Sequence, residues 1–128
     1  MEDFFDLSHL DIKVRGKLFE RFAQRIDTDP EILDCLVELG HHHIDYMLAN
    51  NKATLPITLD KLAHRYEGDP KNFPGVGGIV NCVVWHPQVG VETLGYLIAR
   101  FPDETAVGRN ARIIYRERTG AYYGSGSG

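Results

Sequence analysis

Three segments of this chain align without gaps: Pro30-Glu31-Ile32-Leu33-Asp34-Cys35-Leu36-Val37, Pro56-Ile57-Thr58-Leu59-Asp60-Lys61-Leu62-Ala63 and Val91-Glu92-Thr93-Leu94-Gly95-Tyr96-Leu97-Ile98. Each holds two leucines three residues apart, a spacing that puts both on one side of a helix. The first two also carry a proline three residues before the first leucine. The intervals between segments are 26 and 35 residues, and the longer one absorbs a glycine-rich stretch over 68–78. Self-similarity at such periods is the mark of helical units that bury their apolar faces by stacking on one another. The pattern predicts an all-α fold, a short stack of about six or seven helices. A bundle without repeats is the alternative, because ordinary amphipathic helices also space leucines this way.

The punctuation between segments agrees. Leu10, Val14, Leu18, Phe22 and Ile26 form one stripe, predicting a helix from Ser8 to Ile26 with Ser8 as its cap. Thr28-Asp29-Pro30-Glu31 reads as a capping box with proline in the first turn, opening a helix that buries Ile32, Leu33, Leu36 and Val37 and stops at Gly40. A short helix follows over His43 to Asn50, with Ile44, Met47 and Leu48 inward, and Asn50-Asn51-Lys52 breaks it. Thr54 is the expected cap of a helix from Pro56 that uses Leu59, Leu62, Ala63 and Tyr66. Residues 68–78 read as a loop. Ile79-Val80-Asn81-Cys82-Val83-Val84-Trp85 is rich in residues that favour strands, yet its neighbours are helical, and a helix is expected. Two more helices are expected, over Val89 to Phe101 with Val91, Leu94, Leu97 and Ile98 buried, and over Glu104 to Arg118.

Residues 48–63 add a family resemblance. Ala49, then Asn51 two residues on, Thr54, Pro56 and the pair Leu59 and Leu62 resemble the leucine-rich repeat variant. The match is close over 48–63 and loose over 10–118, and Leu55, inserted between Thr54 and Pro56, departs from the pattern. The resemblance implies a right-handed stack of alternating short and longer helices, similar to armadillo and HEAT repeats. Iron–sulfur members of that family use a cysteine cluster that this sequence lacks, so no cofactor is carried over.

Length and charge narrow the classes. The 128 residues suit one domain, over 1–123, and 43% hydrophobic with 25% charged residues is an ordinary globular balance. Gly124-Ser125-Gly126-Ser127-Gly128 has the composition of an engineered flexible linker and is set aside. No stretch is apolar for the roughly 20 residues a membrane span needs. The first residues are acidic where a secretory signal is basic, and two cysteines make no disulfide framework, so a cytoplasmic protein is expected. The formal charge of −4 is uneven: −6 over 1–45, zero over 46–99 and +2 over 100–128. An acidic excess argues against a general nucleic-acid binder.

No catalytic constellation stands out. His41-His42-His43 with Asp45 offers metal-ligand types, but neighbours on a helix diverge by about 100° each, and a polar turn opening the third helix explains them. Cys82 and His86 are four apart, yet the apolar surroundings read as inert packing for the thiol. Gly75-Val76-Gly77-Gly78 lacks both the preceding strand and the lysine of a phosphate loop. Arg109, Arg112 and Arg116 follow helical spacing, with Arg118 near, and suit an acidic protein surface or phosphates. Tyr115, Tyr122 and Tyr123 beside them could add aromatic area, and Phe4 and Phe5 could dock on the first helix. The expectation is a non-catalytic protein-binding domain, in its narrower form a bacterial or phage partner-neutralising protein such as a toxin-immunity protein. Asp27, Asp29, Glu31, Asp34 and Glu38 are the expected contacts to a basic toxin or effector. Nucleic-acid contact through the arginines is the rival, and a small metal- or thiol-dependent enzyme a third reading.

Overall fold

A computed structural model describes residues 12–69 and 78–120. Among the described residues there are seven α-helices and no strand: α1 (Ile12–Gln24), α2 (Pro30–Leu36), α3 (His42–Asn50), α4 (Pro56–Tyr66), α5 (Ile79–Trp85), α6 (Val91–Arg100) and α7 (Ala106–Thr119). No helix there is long and apolar enough to cross a membrane. The segment Ile79–Trp85 is helical despite its β-branched residues: Ile79, Val80, Val83 and Val84 are all buried, so packing overrides local preference. The expected Ser8 cap and the glycines at 75–77 lie outside the described residues, as do Phe4, Phe5, Tyr122 and Tyr123.

The helices form two rows. α1, α3, α5 and α7 pack in sequence on one side, and α2, α4 and α6 on the other. Leu33, Leu36, Leu59, Leu62, Leu94 and Leu97, the three aligned pairs, are each fully buried. Burying a leucine contributes about 1.5–3 kcal/mol; α1, where Gly16 costs roughly 1 kcal/mol, is held instead by buried Ala23 and by Phe19 and Phe22 packed against the core. Pro30 and Pro56 open α2 and α4 at positions where a missing N–H costs nothing, and Gly40 closes the first unit in the left-handed region at φ 64°.

Several expectations need correction. α1 ends at Gln24, leaving Ile26 beyond the helix and 65% exposed. Asp29, not Thr28, caps α2: its carboxylate accepts the Glu31 N–H at 2.8 Å, so the capping box does not form. Thr28 instead donates to the Phe22 carbonyl at 2.7 Å. Thr54 likewise caps nothing. It is fully buried and donates to the Leu48 carbonyl at 2.6 Å, pinning the end of α3. Val91 opens α6 and is 37% exposed rather than buried; Val89 in the preceding loop fills the core in its place.

The same five-residue connection, 25–29, 51–55 and 86–90, joins the two rows three times. In each, the fourth residue's N–H donates to the first residue's carbonyl: Thr28 to Arg25, Thr54 to Asn51, Val89 to His86. The next unit then reaches back to that same carbonyl. Asn51 Nδ2 donates to Arg25 at 2.9 Å, His86 Nε2 to Asn51 at 2.6 Å, and Arg118, from α7, to His86 at 3.2 Å. A second ladder crosses the other row. Thr58 donates to Asp34 and Thr93 to Asp60, each at 2.6 Å. Both ladders fix how successive units sit on one another, and hence which side chains face outward.

Candidate functional site

The odd-numbered row shows its outer side along α3, α5 and α7. On α3, Tyr46 and Asn50 are four residues apart, so they share a stripe. Tyr46 is 46% exposed. Asn50 Nδ2 donates to the Tyr46 carbonyl at 2.8 Å and reaches Cys82 Sγ on α5 at 3.7 Å, bringing the two helices' stripes together. Trp85 is three residues beyond Cys82 on the same side and 52% exposed. On α7, Asn110 Nδ2 donates to Asn81 Oδ1 at 3.1 Å and continues the amide row. Between α3 and α5 lies a hollow of about 350 Å³ lined by Asn50, Lys52, Asn81, Cys82, Trp85 and Pro87.

Burial pushes the Cys82 thiol up, with the Asn50 contact opposing it only in part, so the sulfur stays protonated near neutral pH. His86 does not activate it. The His86 ring donates from Nε2 to the Asn51 carbonyl and accepts the Gln88 N–H at Nδ1, 2.9 Å away, which spends both nitrogens on the loop. Its pKa lies below the ordinary imidazole value because of burial, and the positive charge of Arg118 adds to this. What remains outward is an indole, a phenol, a lysine and side-chain amides that can both donate to and accept from a peptide backbone.

The histidine run diverges. His42 meets Tyr66 edge-on, with ring centres 5.5 Å apart, while His43 lies 3.8 Å from Glu20 on α1. Asp45 turns inward. Fully buried, it accepts from Arg65 at 2.9 Å and from the Tyr66 hydroxyl, whose pKa burial and this carboxylate push up to about 12. Arg65 also donates to the Val37 carbonyl at 2.8 Å, so this cluster ties α3 and α4 to the end of the first unit. Among the described residues no three of His, Cys, Asp and Glu are placed to hold a metal ion.

The five acids singled out in the sequence are largely engaged with their own chain. Arg25 grips Asp27 with bonds of 2.9 and 2.8 Å and holds its carboxylate below the usual range. Asp29 caps α2, and Asp34 accepts from Thr58 and from Lys61, the latter at 3.1 Å. Glu31 and Glu38 remain outward, with Glu38 3.9 Å from Lys61. The arginines divide too. Arg112 donates to the carbonyls of Phe101, Gly108 and Ile98, and Arg118 to those of His86, Pro87 and Val89, so both close helix ends. Arg109 and Arg116 are exposed on α7.

Sequence reasoning missed the structural roles of Asn51, Thr58, Asp45, Thr93 and His86, and gave Thr54 a different one. One signal was legible: Asp45 lies three residues before Leu48 and four before Ala49, hence on the buried side of a short helix. Comparison with known proteins gives no matching family model, no matching curated protein and no matching solved structure.

Proposed function

We propose that this chain is a non-catalytic protein-binding helical-repeat domain, and that the hollow between α3 and α5 receives an extended segment of the partner. One observation carries the reading: Trp85 stands half out of the surface at the rim of a hollow whose floor is amide and thiol, with exposed Tyr46 on the neighbouring helix. Half-exposed aromatic rings beside polar, rigidly held groups are where interfaces concentrate their energy. The amide of Asn50 suits a peptide backbone, since its Oδ1 makes no bond among the described residues. The repeat part of the reading is supported by three connections of equal length with equivalent hydrogen bonds. It is also supported by the resemblance over 48–63, whose Asn51 and Thr54 are the residues that lock α3 and its loop in place.

In its narrower form the partner is basic and is neutralised by binding, as a toxin is by its immunity protein. The charge of −6 over 1–45 supports this, with Glu31 and Glu38 as the acids left to steer it.

Quantitative affinity capture from the native host, followed by titration of the recovered partner, tests the proposal. Trp85→Ala is expected to weaken binding roughly 30-fold, the equivalent of about 2 kcal/mol for an aromatic anchor. Melting should stay near wild type. A partner that binds Trp85→Ala and Asn50→Ala as tightly as wild type overturns this placement. Association rates unaffected by Glu31→Lys with Glu38→Lys remove the basic-partner form.

A further inference from the structure

α7 is the last described helix. Its inner side packs on α5 and α6, through Val107, Ala111 and Ile114. Its other side presents Arg109, Ile113, Arg116 and Glu117, with Ile113 44% exposed, and these line an open hollow of about 570 Å³ together with Asp103. The order of charges along this side is the informative feature. Arg109 and Glu117 stand four residues before and four residues after Ile113, on one ridge of the helix. At 1.5 Å rise per residue they are about 12 Å apart, too far to pair with each other. Neither makes an ion pair among the described residues.

We propose that α7 packs antiparallel against α7 of a second copy of this chain, about a two-fold axis passing at Ile113. In that arrangement the residue k positions after Ile113 faces the residue k positions before it on the other helix. Ile113 meets Ile113 of the partner subunit, Glu117 meets Arg109 of the partner subunit, and Arg109 meets Glu117 of the partner subunit. One exposed aliphatic side chain is thus covered and two opposite-charge pairs form from a single helix. A parallel pairing sets arginine on arginine and glutamate on glutamate, which disfavours it. A foreign protein would need the mirrored order of charges, whereas a second copy supplies it by symmetry. Arg112 lines the same hollow, with its guanidinium held on the carbonyls at the end of α6. The inference is independent of the α3–α5 hollow.

Sedimentation velocity across a concentration series tests it. The wild type is expected to shift from monomer to dimer as concentration rises. Arg109→Glu and Glu117→Arg, taken singly, oppose like charges twice and should each weaken the dimer about tenfold or more. The double variant, Arg109→Glu with Glu117→Arg, restores opposite pairs and should recover most of the loss. Ile113→Asp should leave a monomer, with far-UV circular dichroism showing that it folds. Ile113→Cys should oxidise to a covalent dimer, since the two thiols face each other, while the wild type, with Cys35 and Cys82 half-buried, should not. A monomer at every concentration overturns the proposal and leaves this side of α7 to a foreign partner. A dimer indifferent to Ile113→Asp, or a double charge variant no better than the singles, overturns it as well.

Discussion

Asn50 and Asn51 are chemically identical neighbours with opposite roles, and substituting each in turn tests the ladder of loop carbonyls. Asn51 is 4% exposed. Its Nδ2 donates to the carbonyls of Ala23 at 2.8 Å and Arg25 at 2.9 Å, and its Oδ1 accepts the Ala53 N–H at 2.9 Å. Asn51→Ala removes all three bonds, each worth about 1 kcal/mol net. Arg25 keeps the Thr28 N–H as a partner, but the Ala53 N–H loses its side-chain acceptor within the stack, and stranding such a group adds about 1–2 kcal/mol. The expected loss is therefore about 4 kcal/mol, a large part of the roughly 5–15 kcal/mol that holds a domain together. In urea, with a slope of about 1.5–2 kcal/mol per molar, the midpoint should fall by about 2 M or more. Asn50→Ala breaks one bond within α3 and a long contact to sulfur at the surface, so its midpoint should move by less than about 0.5 M. Equal midpoints for the two variants would refute the claim that the first loop residue of each unit locks the preceding unit.

Two further outcomes follow from the same packing. Gly108→Ala should destabilise by about 2–3 kcal/mol, although alanine ordinarily favours a helix by about 1 kcal/mol over glycine. An added Cβ would stand 2.1 Å from the Pro102 carbonyl oxygen and 2.5 Å from that of Phe101, both backbone atoms that cannot move aside. A melting temperature equal to or above wild type contradicts this. His86, with its pKa lowered mainly by burial, takes up a proton less readily folded than unfolded. Its contribution to stability is complete above the ordinary value of 6.5 and is lost as pH falls from there through the folded value. Between about pH 7.5 and about pH 5 the wild type should therefore lose more stability than His86→Gln. Equal losses in urea titrations remove His86 as the cause.

The local elements were legible from the chain alone. Pro30 and Pro56 at helix starts, Gly40 at a left-handed stop and leucines three apart are short-range signals, set by backbone sterics and by the side of a helix on which an apolar group lies. With the apolar stripes of the other segments, they located all seven helix bodies, Ile79–Trp85 by its helical neighbours, and all six paired leucines in the core. They misplaced the caps at Thr28 and Thr54, because a hydroxyl beside a helix start can satisfy either its own helix or a carbonyl six residues back. Nothing in local sequence chooses between them.

What only the tertiary structure decided was the fate of the polar residues. Asn51 and Asn50, Asp45 and Glu38, Arg112 and Arg109 are of matching kinds within each pair, yet one of each is internal and the other faces outward. Burying a polar group is costly unless a hydrogen-bond partner exists, and these partners lie 11, 20 and 28 residues away along the chain for Arg112, Asp45 and Asn51. Of the acids that looked like a contact patch, Asp27, Asp29 and Asp34 are tied to groups of their own chain, and the exposed rings of Tyr46 and Trp85 stand on the outer face.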